Sequence, residues 1–140
     1  MKKRNFLALL GATAVLIPAA FSTAAAAQTD PNGDYLNNLY SFLQSQDATT
    51  YEMATSAMTP AQNVWAAQMF CQTFSAGIAP SEVFAIYTAS AIQEAETRGV
   101  ALTDEMAYSV GLYGGAVMNI GAAHYCPQYQ PQVQQALQSL

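Results

Sequence analysis

Charge is scarce in this chain. Of its 140 residues only 9% are Asp, Glu, Lys or Arg, and four of those are basic. Three of the four, Lys2, Lys3 and Arg4, stand together at the N-terminus, which leaves Arg98 alone against nine acids downstream. Binding a phosphate backbone or an anionic lipid surface needs clustered Lys and Arg, so nucleic acid is excluded as a partner. The acidity itself reads as solubility for a chain poor in charge. Histidine occurs once, as His124, and the two cysteines, Cys71 and Cys126, do not form a Cys-x-x-Cys pair. A metal site or a hydrolase triad would have to be built around that one imidazole. No nucleophile elbow, zinc-binding helix pair or phosphate-cradling glycine loop is present. Neither a catalytic activity nor a cofactor is expected.

The basic patch at the N-terminus is followed by the apolar run 6–21 and then by small residues, the order of a cleavable secretory signal. Gly11 and Pro18 interrupt the run, and about 16 residues fall short of the roughly 20 that span a bilayer. Ala25 and Ala27 stand at small-x-small positions, which places the cut before Gln28. Residues 1–27 are therefore read as a signal peptide and residues 28–140 as one helical domain, exported to the periplasm or outside the cell, with no membrane span after cleavage. In an oxidising compartment an even pair of cysteines is expected to be joined. A disulfide between Cys71 and Cys126 follows, and on a chain-entropy view closing so long a loop stabilises the fold by roughly 4 kcal/mol.

Within the exported part helix signals recur and strand signals do not. Leu36, Leu39, Tyr40 and Leu43 fall at i, i+3, i+4 and i+7, which predicts a first helix over 34–46 with Asp34 as its N-cap. The stretch 47–58 reads as polar, with at most a weak helical turn. Thr59-Pro60-Ala61-Gln62 is a capping box with Pro in the first turn, and it opens a second helix whose inner face is Val64, Ala67, Cys71 and Phe74, stopped at Gly77. A third helix runs from Pro80 to a stop at Arg98 and Gly99, with Val83, Phe84, Tyr87 and Ala91 inward. A fourth starts at Thr103 or Asp104 and ends before Pro127. Pro131 then begins a short C-terminal helix in which Val133, Leu137 and Leu140 would dock. The expected fold is all-α, a bundle of four main helices plus this short one, closed by the disulfide.

The fourth helix carries Gly111, Gly114, Gly115 and Gly121, each costing up to about 1 kcal/mol relative to Ala in a helix interior. Close packing of another helix across them is the expected offset, and a homodimer through the same surface is the alternative. Asp30-Pro31-Asn32-Gly33-Asp34 begins like a calcium loop, but Tyr35 stands where such a loop needs Gly and Ser41 where it needs Glu. It reads as a turn before the first helix. His124 is the one weak ligand candidate.

Three segments, Tyr35-Leu36-Asn37-Asn38-Leu39, Ala66-Ala67-Gln68-Met69-Phe70-Cys71-Gln72-Thr73-Phe74-Ser75-Ala76-Gly77 and His124-Tyr125-Cys126-Pro127, give the chain a wider likeness. In them it resembles a family of small exported helical proteins classed as a domain of unknown function, with a mid-chain Cys and a late Tyr-Cys-Pro. The resemblance implies a disulfide-tied helical fold and an exported location, and it carries no activity. The long stretch before the second helix and the glycine-rich fourth helix depart from it.

Eight tyrosines in so short a chain suit either the lining of a pocket between helices or an amphipathic contact surface. The leading expectation is a noncatalytic protein acting by contact with another envelope or extracellular component, through an exposed aromatic patch. The alternative is a carrier of a small apolar ligand, held in a closed cavity on the order of a few hundred Å³.

Overall fold

A computed structural model of the chain describes residues 30–140; the expected signal, residues 1–27, lies outside them. The fold is all-α, and among the described residues there are six α-helices and no strand. Helix α1 (Pro31–Gln46) begins one turn earlier than its apolar spacing suggests. The Asp30 carboxylate accepts a hydrogen bond from the Gly33 N–H at 2.9 Å, and Pro31 takes the first helical position, where its missing N–H costs nothing. The expected turn at 30–34 is thus the cap and first turn of the helix. Asp34, expected as the cap, lies inside that turn.

Asp47 ends α1 and starts the next helix. Its backbone N–H donates to the Leu43 carbonyl, while its carboxylate accepts from the Thr50 N–H at 2.8 Å and the Thr50 hydroxyl at 2.7 Å. Helix α2 (Ala48–Glu52) therefore forms in the stretch expected to be polar with at most a weak helical turn, and it runs into one π-turn, Met53–Ala57. The wider turn brings Met53 and Ala54 together into the core, both fully buried. The expectation of four main helices plus one short one is corrected by this added element.

Helix α3 (Pro60–Ser75) has the capping box read from its sequence: the Gln62 N–H donates to Thr59 Oγ1 at 3.1 Å and the Thr59 N–H to Gln62 Oε1 at 2.8 Å. Its chain reverses at Gly77, whose φ of 92° excludes most side chains. Helix α4 (Pro80–Thr97) stops in the same manner, at Gly99 with φ 67°. Thr103 caps helix α5 (Asp104–Tyr125), accepting from the Met106 N–H at 3.2 Å. A short 3₁₀ turn, Pro127–Tyr129, leads to α6 (Gln130–Gln138).

Helix α5 is the axis, and every other helix packs on it, α3 and α1 most extensively. The larger core brings Tyr35, Leu39 and Leu43 of α1 against Val64 and Ala67 of α3 and Val110, Tyr113 and Val117 of α5. A smaller core surrounds the disulfide, where Cys71 of α3 is joined to Cys126, with Phe74, Val83, Met118 and Val133 about it. Val133 is fully buried, whereas Leu140, expected to dock beside it, is 76% exposed.

The glycines of α5 divide into two kinds. A Cβ on Gly114 would strike the ring of Tyr87 from α4, and one on Gly121 would lie 2.7 Å from the Ala67 Cβ of α3. These two admit neighbouring helices, as expected. A Cβ on Gly111 would meet nothing within 4 Å, and one on Gly115 would meet only Leu137 of α6 at 3.5 Å, an ordinary contact.

Thermal unfolding should separate the two kinds. Gly111→Ala should gain up to about 1 kcal/mol, a rise of a few degrees in melting temperature, whereas Gly121→Ala should lose about 1–3 kcal/mol by overpacking. The disulfide has its own test. Neither thiol should take up an alkylating reagent until the protein is reduced, and reduction should lower the melting temperature by many degrees, since the bond closes a separation of 55 residues.

Candidate functional site

The chemistry-bearing residues of this chain are mostly tyrosines and amides, and the structure places the largest group of them inside. Asn63, one turn into α3 and fully buried, is the centre of a polar cluster. Its Nδ2 donates to the Ala54 carbonyl at 2.8 Å and the Thr59 carbonyl at 3.0 Å, and lies 3.2 Å from the Tyr40 hydroxyl. Its Oδ1 accepts from the Tyr113 hydroxyl at 2.8 Å, and its backbone carbonyl accepts from the Tyr35 hydroxyl at 3.0 Å. No acid or base enters the cluster, so it has no group that exchanges protons near neutrality. Burial holds the phenols of Tyr35 and Tyr113 well above their ordinary pKa of 10. The cluster is a structural joint of four chain segments.

His124, the ligand candidate, lies half-buried in the last turn of α5. Its Nε2 is 2.9 Å from Asn38 Nδ2, and its ring stands edge-on to Tyr35 with centroids 6.1 Å apart. The next residue, Tyr125, donates its hydroxyl to Asn32 Oδ1 at 2.6 Å. Together the two side chains clasp the start of α1 to the end of α5. Cys126, two residues on, is spent in the disulfide. Among the described residues no three His, Cys, Asp or Glu side chains gather as a metal site requires.

Apolar surface offers a further candidate. Gly111 and Gly115, one turn apart on α5, form the floor of an open groove of about 240 Å³ between α1 and α6. Phe42 of α1 makes one wall and Leu137 of α6 the other, with Leu112 and Ile120 along the floor. Asn119 adds the polar note. It lines the groove, although its Oδ1 is buried and does not face the open space. The small floor is what makes the groove: a larger side chain at 111 would stand in it.

The aromatic patch expected for a contact surface does not form from the tyrosines. Tyr35 and Tyr113 are buried, and Tyr108 is the one tyrosine prominently exposed, at 56%. The groove is open, which also differs from the closed cavity expected of a carrier. Sequence reasoning missed Phe42 and the groove walls, for which the only signal was the four-residue spacing of Gly111 and Gly115. It missed Asn63 as well, whose signal was an amide one residue before the apolar face of α3. Among the described residues no helix is long and apolar enough to cross a membrane.

Comparison with family models, with curated proteins and with solved structures gives no match to this chain.

The buried phenols set a pH limit. Unfolded tyrosines ionise near pH 10, and those of the polar cluster resist ionisation in the fold. Stability from this source is whole below pH 10 and falls as pH rises above it, because the unfolded chain then releases protons that the folded one retains. Melts recorded between pH 7 and pH 12 should show a steep loss only above about pH 10, with the tyrosinate absorbance of the buried phenols appearing together with unfolding.

Proposed function

We propose that this chain is an exported, noncatalytic protein that acts by contact, its groove on α5 receiving apolar side chains of another envelope or extracellular component. The observation that carries the reading is the open space above Gly111. Glycine in the middle of a long helix loses stability that Ala would keep, and inside the fold nothing crowds this position. A partner backbone or side chain entering the groove supplies the offset that the protein itself does not. Export rests on the basic patch, the apolar run 6–21 and the Ala25-x-Ala27 site, and on the resemblance to small exported helical proteins. The disulfide and the absence of a membrane-spanning helix among the described residues are compatible with it.

The carrier reading is favoured by one observation, the apolar lining of the groove by Phe42, Leu112, Ile120 and Leu137. It suits a small apolar molecule. A native mass spectrum of the protein from its own exported fraction separates the two readings. A chain that begins at Gln28, two hydrogens light, is expected on both. A bare monomer or a plain dimer favours contact, and extra noncovalent mass favours the carrier.

Gly111→Phe tests the groove directly. The side chain has room, so the fold and melting temperature should hold, while cross-links formed by the wild-type protein in its exported fraction should disappear. Identical cross-links from wild type and variant would overturn the groove as the contact site.

A further inference from the structure

Helix α4 is the least covered of the long helices. Of its 18 residues only Pro80, Val83 and Ala95 are buried, although most of the sequence is uncharged and much of it apolar. Glu82, Ala85, Ala89, Ile92 and Glu96 follow one another at three- and four-residue spacing, and all five are exposed. That is the seam pattern by which one helix packs along another, and here the seam faces outward. Ile86 widens it, and Ile86 and Ile92 are 52% and 42% exposed. Beside Ile92 the junction with α5 opens into an apolar recess of about 150 Å³, lined also by Thr88, Ala91, Leu102, Ala107 and Val110.

The charges at the ends of this seam are acidic. Glu82 and Glu96 close its two ends, fourteen residues or about 21 Å apart along the helix. Asp104, exposed in the first turn of α5, lies one turn before Ala107 of the recess. Arg98, the sole Lys or Arg among the described residues, bonds to Glu94 at 2.9 Å. It caps α4 about 200° around from Glu96, on the side of Ala91, and the bond to Glu94 offsets its charge there. A second copy does not fit this face. Antiparallel helices would set Glu82 against the partner's Glu96, and parallel ones would set each acid against itself.

Resting on the reading of the protein as one that acts by contact, but on another flank of α5, we propose that the α4 seam binds a basic amphipathic helix of a partner protein. Its apolar residues lie along Ala85, Ala89 and Ile92 and enter the recess. Its Lys or Arg residues meet Glu82, Glu96 and Asp104. Charge complementarity chooses this occupant, because an uncharged or acidic helix would leave three carboxylates unpaired or repelled beside an apolar contact.

The test uses the purified protein with its disulfide intact and a fluorescent synthetic helix of four heptads, with Leu at the a and d positions that face Ala85, Ala89 and Ile92 and Lys elsewhere, so that Lys stands opposite Glu82 and Glu96. A second helix carries Glu in place of Lys. Fluorescence anisotropy should show saturable binding of the Lys helix and none of the Glu helix. Ile92→Ser should weaken binding about tenfold and Glu96→Gln about threefold to fivefold. Glu52→Gln, an equal charge change elsewhere, and Phe42→Ser, an equal loss of apolar surface in the groove, should leave it unchanged. All four positions are exposed, and unchanged melting temperatures will show that the variants fold. Absence of binding overturns the proposal, as does equal weakening by Glu96→Gln and Glu52→Gln, which would mean attraction by net charge alone. If the Lys helix fails while Gly111→Phe still abolishes cross-linking, the contact reading stands and this seam is not part of it. If the seam behaves as described while Gly111→Phe changes nothing, the groove reading falls and this one remains.

Discussion

The rest of the structure depends on the buried amide of Asn63. An amide taken out of water must find partners for both ends, at a cost of about 1–3 kcal/mol for each group left unpaired. Here the partners come from four places in the chain: Ala54 in the π-turn, the Thr59 cap, the tyrosines of α1 and Tyr113 of α5. The backbone carbonyl of the same residue takes the Tyr35 hydroxyl. A slide of α1 or α5 by one turn would strand several of these groups together. Hydrophobic contacts among Leu39, Leu43, Val64 and Val117 tolerate many arrangements, and the polar joint selects one of them. The π-turn belongs to this selection, since the Ala54 carbonyl that it positions is the shortest of the acceptors serving Asn63 Nδ2.

The disulfide acts at the other end of α5, where the core is smaller. It holds α3 to Cys126 just where the chain leaves α5 for the 3₁₀ turn and α6. Val133 can then close that end as the one buried residue of α6. The two devices divide the work along the axis, with polar keying at Tyr113 and covalent closure at Cys126. Between them lie Gly114 and Gly121, which bring Tyr87 and Ala67 against the backbone of α5. The helices approach closely there because those positions have no side chains.

Much of this was legible in the residues, and what was not has physical reasons. The Thr59 capping box, the stops at Gly77 and Gly99 and the inward set Val64, Ala67, Cys71 and Phe74 rest on local rules, and they appear where those rules put them. The start of α1 was misplaced because Asp30 and Asp34 are both good caps, and Pro31 decides between them only once the helix is known to reach it. The stretch 47–58 looked polar because its buried residues, Thr50, Met53, Ala54 and Met58, follow no single helical period across an α-turn and a π-turn. Asn63 was invisible as a hub, because its partners lie up to 50 residues away and a lone amide on a helix carries no sign of them. The groove was half legible. Gly111 and Gly115 announced a close approach, but not that no neighbouring helix fills the space above Gly111.

The scarcity of charge then decides what kind of contact this protein can make. With so few ionic groups on its surface, recognition over most of the molecule must come from shape, from amides and hydroxyls, and from apolar residues left uncovered. The groove is bordered by uncharged residues, so on the proposed reading it would discriminate by fit, its glycine floor admitting a group that matches its width. The α4 seam differs because Glu82 and Glu96 stand at its ends without a cation on the same face. A carboxylate there adds little to solubility that the remaining acids do not provide, and it opposes self-association of the exposed Ile86 and Ile92. On the proposed reading, the same two charges that would oppose the pairing of two α4 seams set the sign of the helix that lies along it.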